Sequence, residues 1–239
     1  MKLYAVLFVW NEDDIIEATV RNAFAQGCDK VFVIDNGRSH ATAANAVKAG
    51  AQFAGEVDIG YHIEQLKYEA INSVISQINE AENDSFIWWL ILDADEFPDT
   101  RLGMGLRQWL ETLDSSVNVV AAEVLNHLPT HPPYNIPGYH PIHFQPLEGA
   151  ISMHKLPLIR YDSGKPHIMT MAGAHTYKTQ AGTYLTGPEH KRVCDQFNGR
   201  RPEKGMLRRK LSTEGRPDGT RRNDKKGEYA REMGGKRIV

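Results

Sequence analysis

The sequence has few of the features that mark secreted, membrane-spanning or zinc-finger proteins. It holds two cysteines in 239 residues, Cys28 and Cys194, whose spacing fits neither a disulfide framework nor a CxxC metal pair. No apolar run is long enough to span a bilayer. The chain enters a strand-like run at once, without the basic segment and cleavage site of a signal peptide. These absences predict a reduced, cytoplasmic protein.

Several catalytic signatures are missing as well. There is no HExxH motif, and the histidines between residues 126 and 145 lack zinc-site spacing. The first predicted strand is followed by Glu12, Asp13 and Asp14 instead of a Gly-rich, basic phosphate loop, which disfavours a nucleotidyltransferase. That strand also carries no carboxylate nucleophile, which disfavours a phosphatase built on an Asp-x-Asp pair.

The formal net charge of −2 hides a strong asymmetry along the chain. Residues 1–199 hold 14 Lys and Arg against 24 Asp and Glu, giving −10, whereas residues 200–239 hold 14 against 6, giving +8. The basic segment is poor in apolar residues. It predicts a domain over 1–199 and a basic, partly disordered extension over 200–239. The extension suits peripheral contact with the inner face of a membrane, and nucleic acid is not expected because no groove-reading motif is present.

The stretch from residue 85 to 98 organises the chain. Phe86–Leu92 is a continuous apolar run that predicts a strand buried on both faces. It ends in Asp93 and Asp95, which alternation along a strand would place on the same side. Two carboxylates there repel each other unless a cation lies between them, which predicts Mg²⁺ or Mn²⁺. The alternative is a cluster that caps the next helix, which would account for Asp99 but not for the other two.

Apolar periodicity predicts alternating strands and helices, and therefore an α/β fold with parallel βαβ units. A long loop on the substrate side is predicted over 126–145. The predicted strands are 2–10, 30–34, 52–57, 86–92, 117–125, 155–160 and 168–177. The predicted helices are 12–26, 41–49, 63–82, 99–113 and 189–197.

Three motifs stand in order at predicted strand ends: residues 9–13 (VWNED), 33–37 (VIDNG) and 89–97 (WLILDADEF). Together they resemble family 2 glycosyltransferases of the GT-A fold, in the branch whose DxD motif reads Asp-Ala-Asp-Glu-Phe. The resemblance covers roughly residues 1–125. It implies a GT-A-type, Rossmann-like α/β/α sandwich with a mostly parallel central sheet.

The resemblance also implies a nucleotide site. Trp10, Asn11 and Glu12 match the loop that holds the base, and Asp35 matches the acid that contacts uracil or ribose; the alternative for Asp35 is an Asx-turn with the following Asn-Gly. Gln65 matches a glutamine near the diphosphate. The sequence departs from the family pattern after Gly37, which leaves the identity of the base open.

For the metal, the resemblance implies Asp93 and Asp95 as the DxD pair and His175 as a late histidine ligand. Asp95 would bind Mn²⁺ or Mg²⁺ directly, and Asp93 would lie nearer the ribose or a metal-bound water. The general base is sought among Glu148, Asp162 and Glu189, with Glu148 favoured because it is expected on the loop side that faces the crevice.

The implied function is an inverting, metal-dependent hexosyl transfer of the kind used in polysaccharide biosynthesis. A nucleotide-sugar donor, with a UDP-sugar favoured, would pass its sugar to a hydroxyl of a glycan, a lipid-linked molecule or another acceptor. The alternative is a non-catalytic module that binds a sugar nucleotide or glycan on the same fold.

Overall fold

The computed structural model describes residues 1–37, 40–57, 64–82, 86–100, 102–115, 117–127, 148–165, 167–171, 174, 177–179 and 191–197. The helices in these ranges are α1 (Ile16–Ala25), α2 (His40–Lys48), α3 (Glu64–Glu82) and α4 (Leu106–Leu110). The strands are β1 (Lys2–Val9), β2 (Lys30–Asp35), β3 (Gln52–Glu56), β4 (Phe86–Leu92), β5 (Glu96–Pro98), β6 (Val119–His127), β7 (Glu148–Asp162), β8 (Ile168–Thr170), β9 (Tyr177–Thr179) and β10 (Lys191–Phe197).

A mixed sheet of eight strands forms the centre of the molecule. Its order is β3-β2-β1-β4-β7-β6-β10-β5, and β8 pairs with β9 in a separate hairpin. The pairs β3-β2, β2-β1, β1-β4 and β6-β10 are parallel, and β7 runs antiparallel to both of its neighbours. The predicted α/β fold with a mostly parallel central sheet is confirmed.

Apolar side chains on β1 alternate between two core layers, because successive residues of a strand face opposite sides. Leu3, Ala5 and Leu7 pack with Val20 of α1, whereas Tyr4 and Val6 belong to the layer on the other face of the sheet. That second layer includes Ile71, Val74 and Ile75 of α3. Helices therefore cover both faces, as a three-layer α/β/α arrangement requires.

Two helix predictions are wrong. The segment 99–113 forms only the short helix α4, because its first residues follow the edge strand β5 and pass through Gly103, which has a φ of 69°. The segment 189–197 contains the strand β10 in place of a helix. β10 lies between β6 and β5, so both of its backbone edges find hydrogen-bonding partners.

Other boundaries shift for local reasons. Helix α1 begins at Ile16, not in the acidic stretch before it, because the carbonyl of Glu12 accepts the N–H groups of Ile15 and Ile16 in a preceding turn. The predicted strand 168–177 is the β8–β9 hairpin, and β7 extends well beyond the predicted 155–160. Of the predicted loop 126–145, Asn126 and His127 end β6.

The rest of that loop and the basic extension 200–239 lie outside the described residues, so the predicted division at residue 199 stays a prediction. None of the helices within the described ranges is long and apolar enough to cross a membrane.

Replacing Gly27 by Ala is expected to destabilise the protein by about 2 kcal/mol. Gly27 ends α1 with a φ of +96°, and an added Cβ would lie 2.6 Å from the Cβ of Arg107. The Arg107 side chain is fixed there, since its Nε donates to the Gly27 carbonyl at 2.8 Å. Urea denaturation measures the effect.

Gly103→Ala is the matched control for that substitution. Gly103 also has a positive φ, +69°, but nothing lies within 4 Å of its added Cβ. Gly103→Ala should therefore cost only the backbone strain of a non-glycine residue at a positive φ, about 1 kcal/mol of unfolding free energy. Equal losses in the two variants would show that the contact with Arg107 is not the cause.

Candidate functional site

The strand order reverses direction at β1. The chain moves outward from β1 to β2 and β3, and α3 then returns it to β4 on the other side of β1. Val9 pairs with Asp35 and Leu7 pairs with Leu92, so the carboxyl ends of β1, β2 and β4 lie at one edge. In open α/β sheets such a reversal opens a crevice at the carboxyl ends, where ligands bind.

The segment after β1 is buried and tightly held. Trp10, Asn11 and Glu12 are all buried, and the Glu12 N–H donates to Thr42 Oγ1 of α2 at 3.0 Å. Asn11 has a φ of 56°, a left-handed conformation that asparagine tolerates better than most residues. Its Nδ2 is buried and has no hydrogen-bond acceptor among the described residues. A buried amide donor without a described acceptor therefore lies directly after the carboxyl end of β1.

Asp35 ends β2 in a tight turn. Its Oδ1 accepts the Gly37 N–H at 3.1 Å, and Asn36 N–H donates to the Val9 carbonyl at 2.9 Å. Gly37 has a φ of 75°, which this turn requires. The Asx-turn proposed as the alternative for Asp35 is therefore present. Contact between Asp35 and a nucleotide stays a prediction.

The chain turns as soon as β4 ends. Glu96 N–H donates to the Asp93 carbonyl at 3.1 Å, and Asp93 N–H donates to Glu96 Oε2 at 3.2 Å. The hydroxyl of Thr19 on α1 donates to the carbonyl of Ala94. Asp93 and Asp95 consequently flank a turn and are not part of β4, so strand alternation does not set the sides to which they point.

Two lysines neutralise Asp93. Lys67 Nζ of α3 lies 2.5 Å from Asp93 Oδ1, and Lys155 Nζ of β7 lies 2.7 Å from Asp93 Oδ2. Lys155 also forms an ion pair with Glu96. Lys67, Lys155 and Glu96 are 7%, 6% and 1% exposed, whereas the side chain of Asp93 is 30% exposed. Asp93 is thus the most exposed of the four groups.

The pKa values follow from this arrangement. Loss of surrounding water would raise the pKa of Asp93, but Lys155 and Lys67 outweigh it and hold that pKa well below its usual range. Burial would lower the pKa of Lys155, yet Asp93 and Glu96 raise it well above its ordinary value. For Glu96 burial dominates over the attraction of Lys155, so its pKa is raised. Lys67, Lys155 and Asp93 are therefore charged at neutral pH.

This geometry bears on the expected metal site. Both oxygens of Asp93 already contact ammonium groups, which does not fit a divalent cation bound to the same carboxylate. Asp95 is partly exposed and makes no hydrogen bond or ion pair with the described residues. Within that part of the chain, no three His, Cys, Asp or Glu side chains cluster closely enough to hold a metal ion. Of the pair, Asp95 is therefore the carboxylate whose oxygens the described residues do not engage.

Comparisons with known proteins give distant matches only. No family model matches the chain, and no curated protein is similar to it. A solved structure described as a mycobacterial protein is 16% identical, covers 88% of this chain and 72% of its own, and has a TM-score of 0.43. Glucosyl-3-phosphoglycerate synthase from Mycobacterium tuberculosis, crystallised with Mg²⁺ and UDP, is 16% identical over 52% of this chain and 43% of its own, with a TM-score of 0.35.

The same synthase in complex with Mn²⁺ and UDP-glucose is 19% identical over 52% of this chain, with a TM-score of 0.36. This chain thus spans less than half the length of the synthase. Matches of this size assign no function to the chain.

The remaining predicted site residues are not gathered around Asp93 by the described structure. Gln65 is exposed on the first turn of α3, and its Nε2 donates to Glu69 Oε1 at 2.8 Å. Glu148 begins β7 opposite His127 of β6 and is not in a loop; its side chain lies outside the described part. His175 also lies outside it.

Asp162 is excluded as a base next to Asp93. It pairs with Phe86 at the amino end of β4, the opposite end from the crevice. Its carboxylate accepts Arg160 Nε at 3.0 Å and lies 3.0 Å from Lys165 Nζ. Glu189, the third candidate, lies outside the described residues.

Sequence reasoning missed Lys67 and Lys155. Apolar residues at helical spacing in the segment 63–82 predict a stripe that is rotated from the face that α3 buries, because a lysine is ordinarily expected to be exposed. Lys67 precedes Ile71 by four residues, and this helical spacing is the one signal for its burial. No comparable signal marks Lys155. The predicted stripe is Ile63, Leu66, Ala70, Val74, Ile78 and Ala81, whereas the buried residues are Lys67, Tyr68, Ile71, Val74, Ile75 and Asn79.

Proposed function

We propose that this chain is a glycosyltransferase that moves a sugar from a nucleotide-diphosphate donor to an acceptor hydroxyl. The observation that carries the proposal is the reversal of strand order at β1, which opens a crevice next to residues 10–12, Asp35 and the Asp93–Asp95 turn. The motifs of the sequence resemblance stand at these same strand ends. A UDP-sugar is the favoured donor, and the reaction proceeds with inversion.

The nucleoside half of the donor is assigned to the ends of β1 and β2. The buried Nδ2 of Asn11 is a donor without an acceptor among the described residues, which suits a carbonyl or hydroxyl oxygen of the base or ribose. Asp35 is 4% exposed at the end of β2. A ligand at these positions would place its diphosphate toward β4.

Asp95 is the residue that would hold Mn²⁺ or Mg²⁺. One carboxylate together with phosphate oxygens of the substrate is a usual environment for Mg²⁺. A divalent ion bound there would stabilise the negative charge of the leaving diphosphate. Asp93 is not assigned as a ligand, because Lys67 and Lys155 occupy its oxygens.

The acceptor hydroxyl needs a proton acceptor within hydrogen-bond reach, and Glu148 remains the proposed base. Glu148 lies seven positions before Lys155 on β7, a distance of roughly 23 Å if the strand is fully extended. Glu148 reaches the donor only if the paired strands β6 and β7 bend. The register of this strand pair shifts between Val124 and Leu125 and again before His127. Such irregularities bend strands. The proposed acceptor is a glycan or a lipid-linked molecule. The proposed role is polysaccharide biosynthesis at the inner face of the membrane.

Slow hydrolysis of the correct sugar nucleotide is the expected activity in the absence of an acceptor, because water can replace the hydroxyl. A panel of UDP-, GDP- and dTDP-sugars with Mn²⁺ tests this. Glu148→Gln should reduce the rate by about 10²-fold, the usual scale for loss of a general base. Glu80→Gln, on the exposed side of α3, is the control and should leave the rate unchanged.

Two other outcomes are informative. Tight binding of a donor with no turnover, with or without acceptors, would favour a binding module over an enzyme. Turnover that ignores Glu148→Gln would keep the enzyme and reject Glu148 as its base.

A further inference from the structure

Lys67 and Lys155 have more N–H donors than the described residues accept. Each ammonium carries three donors. Lys67 uses one on Asp93 Oδ1 and lies 5.6 Å from the centre of the Tyr68 ring. Lys155 uses two, on Asp93 Oδ2 and on Glu96. Since both lysines are more than nine-tenths buried, their remaining donors need a partner that the described part of the chain does not supply.

These donors lie next to Asp93, which follows the carboxyl end of β4. Lys67 contacts one oxygen of the Asp93 carboxylate and Lys155 contacts the other. The two ammonium groups are therefore close enough together to contact a single phosphoryl group. The side chain of Asp93 is 30% exposed and Asp95 is partly exposed, which leaves an approach from the crevice. Glu96, the other acceptor of Lys155, is 1% exposed.

An anionic oxygen is the partner that this environment favours. Hydrogen bonds from an ammonium to a phosphate oxygen are stronger than those between neutral groups. A diphosphate supplies several such oxygens.

We propose that Lys67 and Lys155 form a diphosphate-binding site, in which ammonium N–H groups bind the donor directly without a metal at Asp93. The inference rests on the proposed function, because the crevice is taken to bind a nucleotide diphosphate. Asp93 holds the two lysines in position. A metal on Asp95 would then assist the chemical step and would not be required for the donor to bind.

Calorimetric titration of the full chain tests the site with UDP and, separately, with inorganic pyrophosphate. In excess EDTA, UDP should bind with a Kd within about ten-fold of its value in Mn²⁺. Lys67→Met should weaken both probes by roughly 10- to 100-fold, and Mn²⁺ should not restore the affinity. Lys48→Met is the matched control: its side chain is 72% exposed on α2, and both affinities should stay unchanged.

A second variant tests the site independently, because removing one lysine leaves carboxylates without their partner. Lys155→Met combined with Glu96→Gln removes a charge of each sign, and it should weaken both probes as Lys67→Met does. A thermal melt of each variant shows that the protein titrated is folded.

The outcomes separate this inference from the proposed function. Binding of UDP that disappears in EDTA and returns with Mn²⁺ in both lysine variants would overturn the lysine site and leave the transferase proposal intact. Binding of pyrophosphate that depends on Lys67, with no preference for any nucleotide diphosphate, would support the lysine site and overturn the proposed function.

Discussion

Replacing Asp93 by Asn is expected to destabilise the protein by about 3–5 kcal/mol, the usual cost of removing one partner of a buried ion pair. Asp93 accepts Lys67 at 2.5 Å and Lys155 at 2.7 Å. An amide of the same size would leave Lys67 with no carboxylate among its described contacts and Lys155 with Glu96 alone. Two buried ammonium groups would then lack half of their compensating charge.

Urea denaturation at neutral pH measures this loss. Asp95→Asn is the matched control, because the same change is made two residues away on a side chain without described ion pairs; its effect should stay within about 0.5 kcal/mol. Asp93→Asn combined with Lys67→Met should recover part of the stability. A loss below about 1 kcal/mol in Asp93→Asn would show that the lysines do not depend on Asp93.

The contribution of Asp93 should also depend on pH in a defined direction. Its pKa is depressed in the folded protein, so the folded state binds its proton less readily than the unfolded state. The stabilisation is therefore present at neutral pH and is lost as the pH falls below the ordinary range of an aspartate toward the folded value.

Replacing Asp95 by Asn is expected to have the opposite pattern, with little effect on stability and a large effect on turnover. Asp95 is the carboxylate of the turn to which we propose that the divalent ion binds. Loss of Lewis-acid assistance costs several kcal/mol of transition-state stabilisation, which corresponds to a rate reduction on the order of 10³-fold. UDP should still bind, because the lysine site would be intact.

Hydrolysis of the sugar nucleotide that the screen identifies, measured across a Mn²⁺ titration, tests this prediction. The melting temperature of Asp95→Asn should match that of the unaltered protein. A variant that keeps its rate and its response to Mn²⁺ would remove Asp95 from the metal site. The pair of substitutions thus separates a structural carboxylate from a functional one.

The first half of the fold could be predicted from local pattern. The apolar runs of β1, β2 and β4 are each buried in the sheet, because a strand covered on both faces must be apolar throughout. Helix α2 differs from the prediction by one residue at each end, and helix α3 differs by one residue at its start. The positions of Asn11, Asp35 and Asp93 at or next to strand ends could therefore be predicted from where these apolar runs stop.

The second half depended on pairing between distant segments. β10 is a strand because it lies between β6 and β5, neither of which is near it in sequence. The seven residues of β10 do not alternate between apolar and polar clearly enough to distinguish a strand from a helix. Likewise, nothing near Glu148 in sequence indicates that it pairs with His127.

The amino-acid sequence by itself determined the α/β class, the order of the first four strands along the chain and the acidic turn that ends β4, because these follow from local periodicity and strand length. Only the tertiary structure decided what neutralises that turn. Lys67 and Lys155 are 26 and 62 residues from Asp93 in sequence, and they meet there because α3 packs on one face of the sheet while β7 pairs with β4. Ion pairs between such distant elements leave no periodic pattern, so a carboxylate that the sequence assigned to a metal is bound by two lysines.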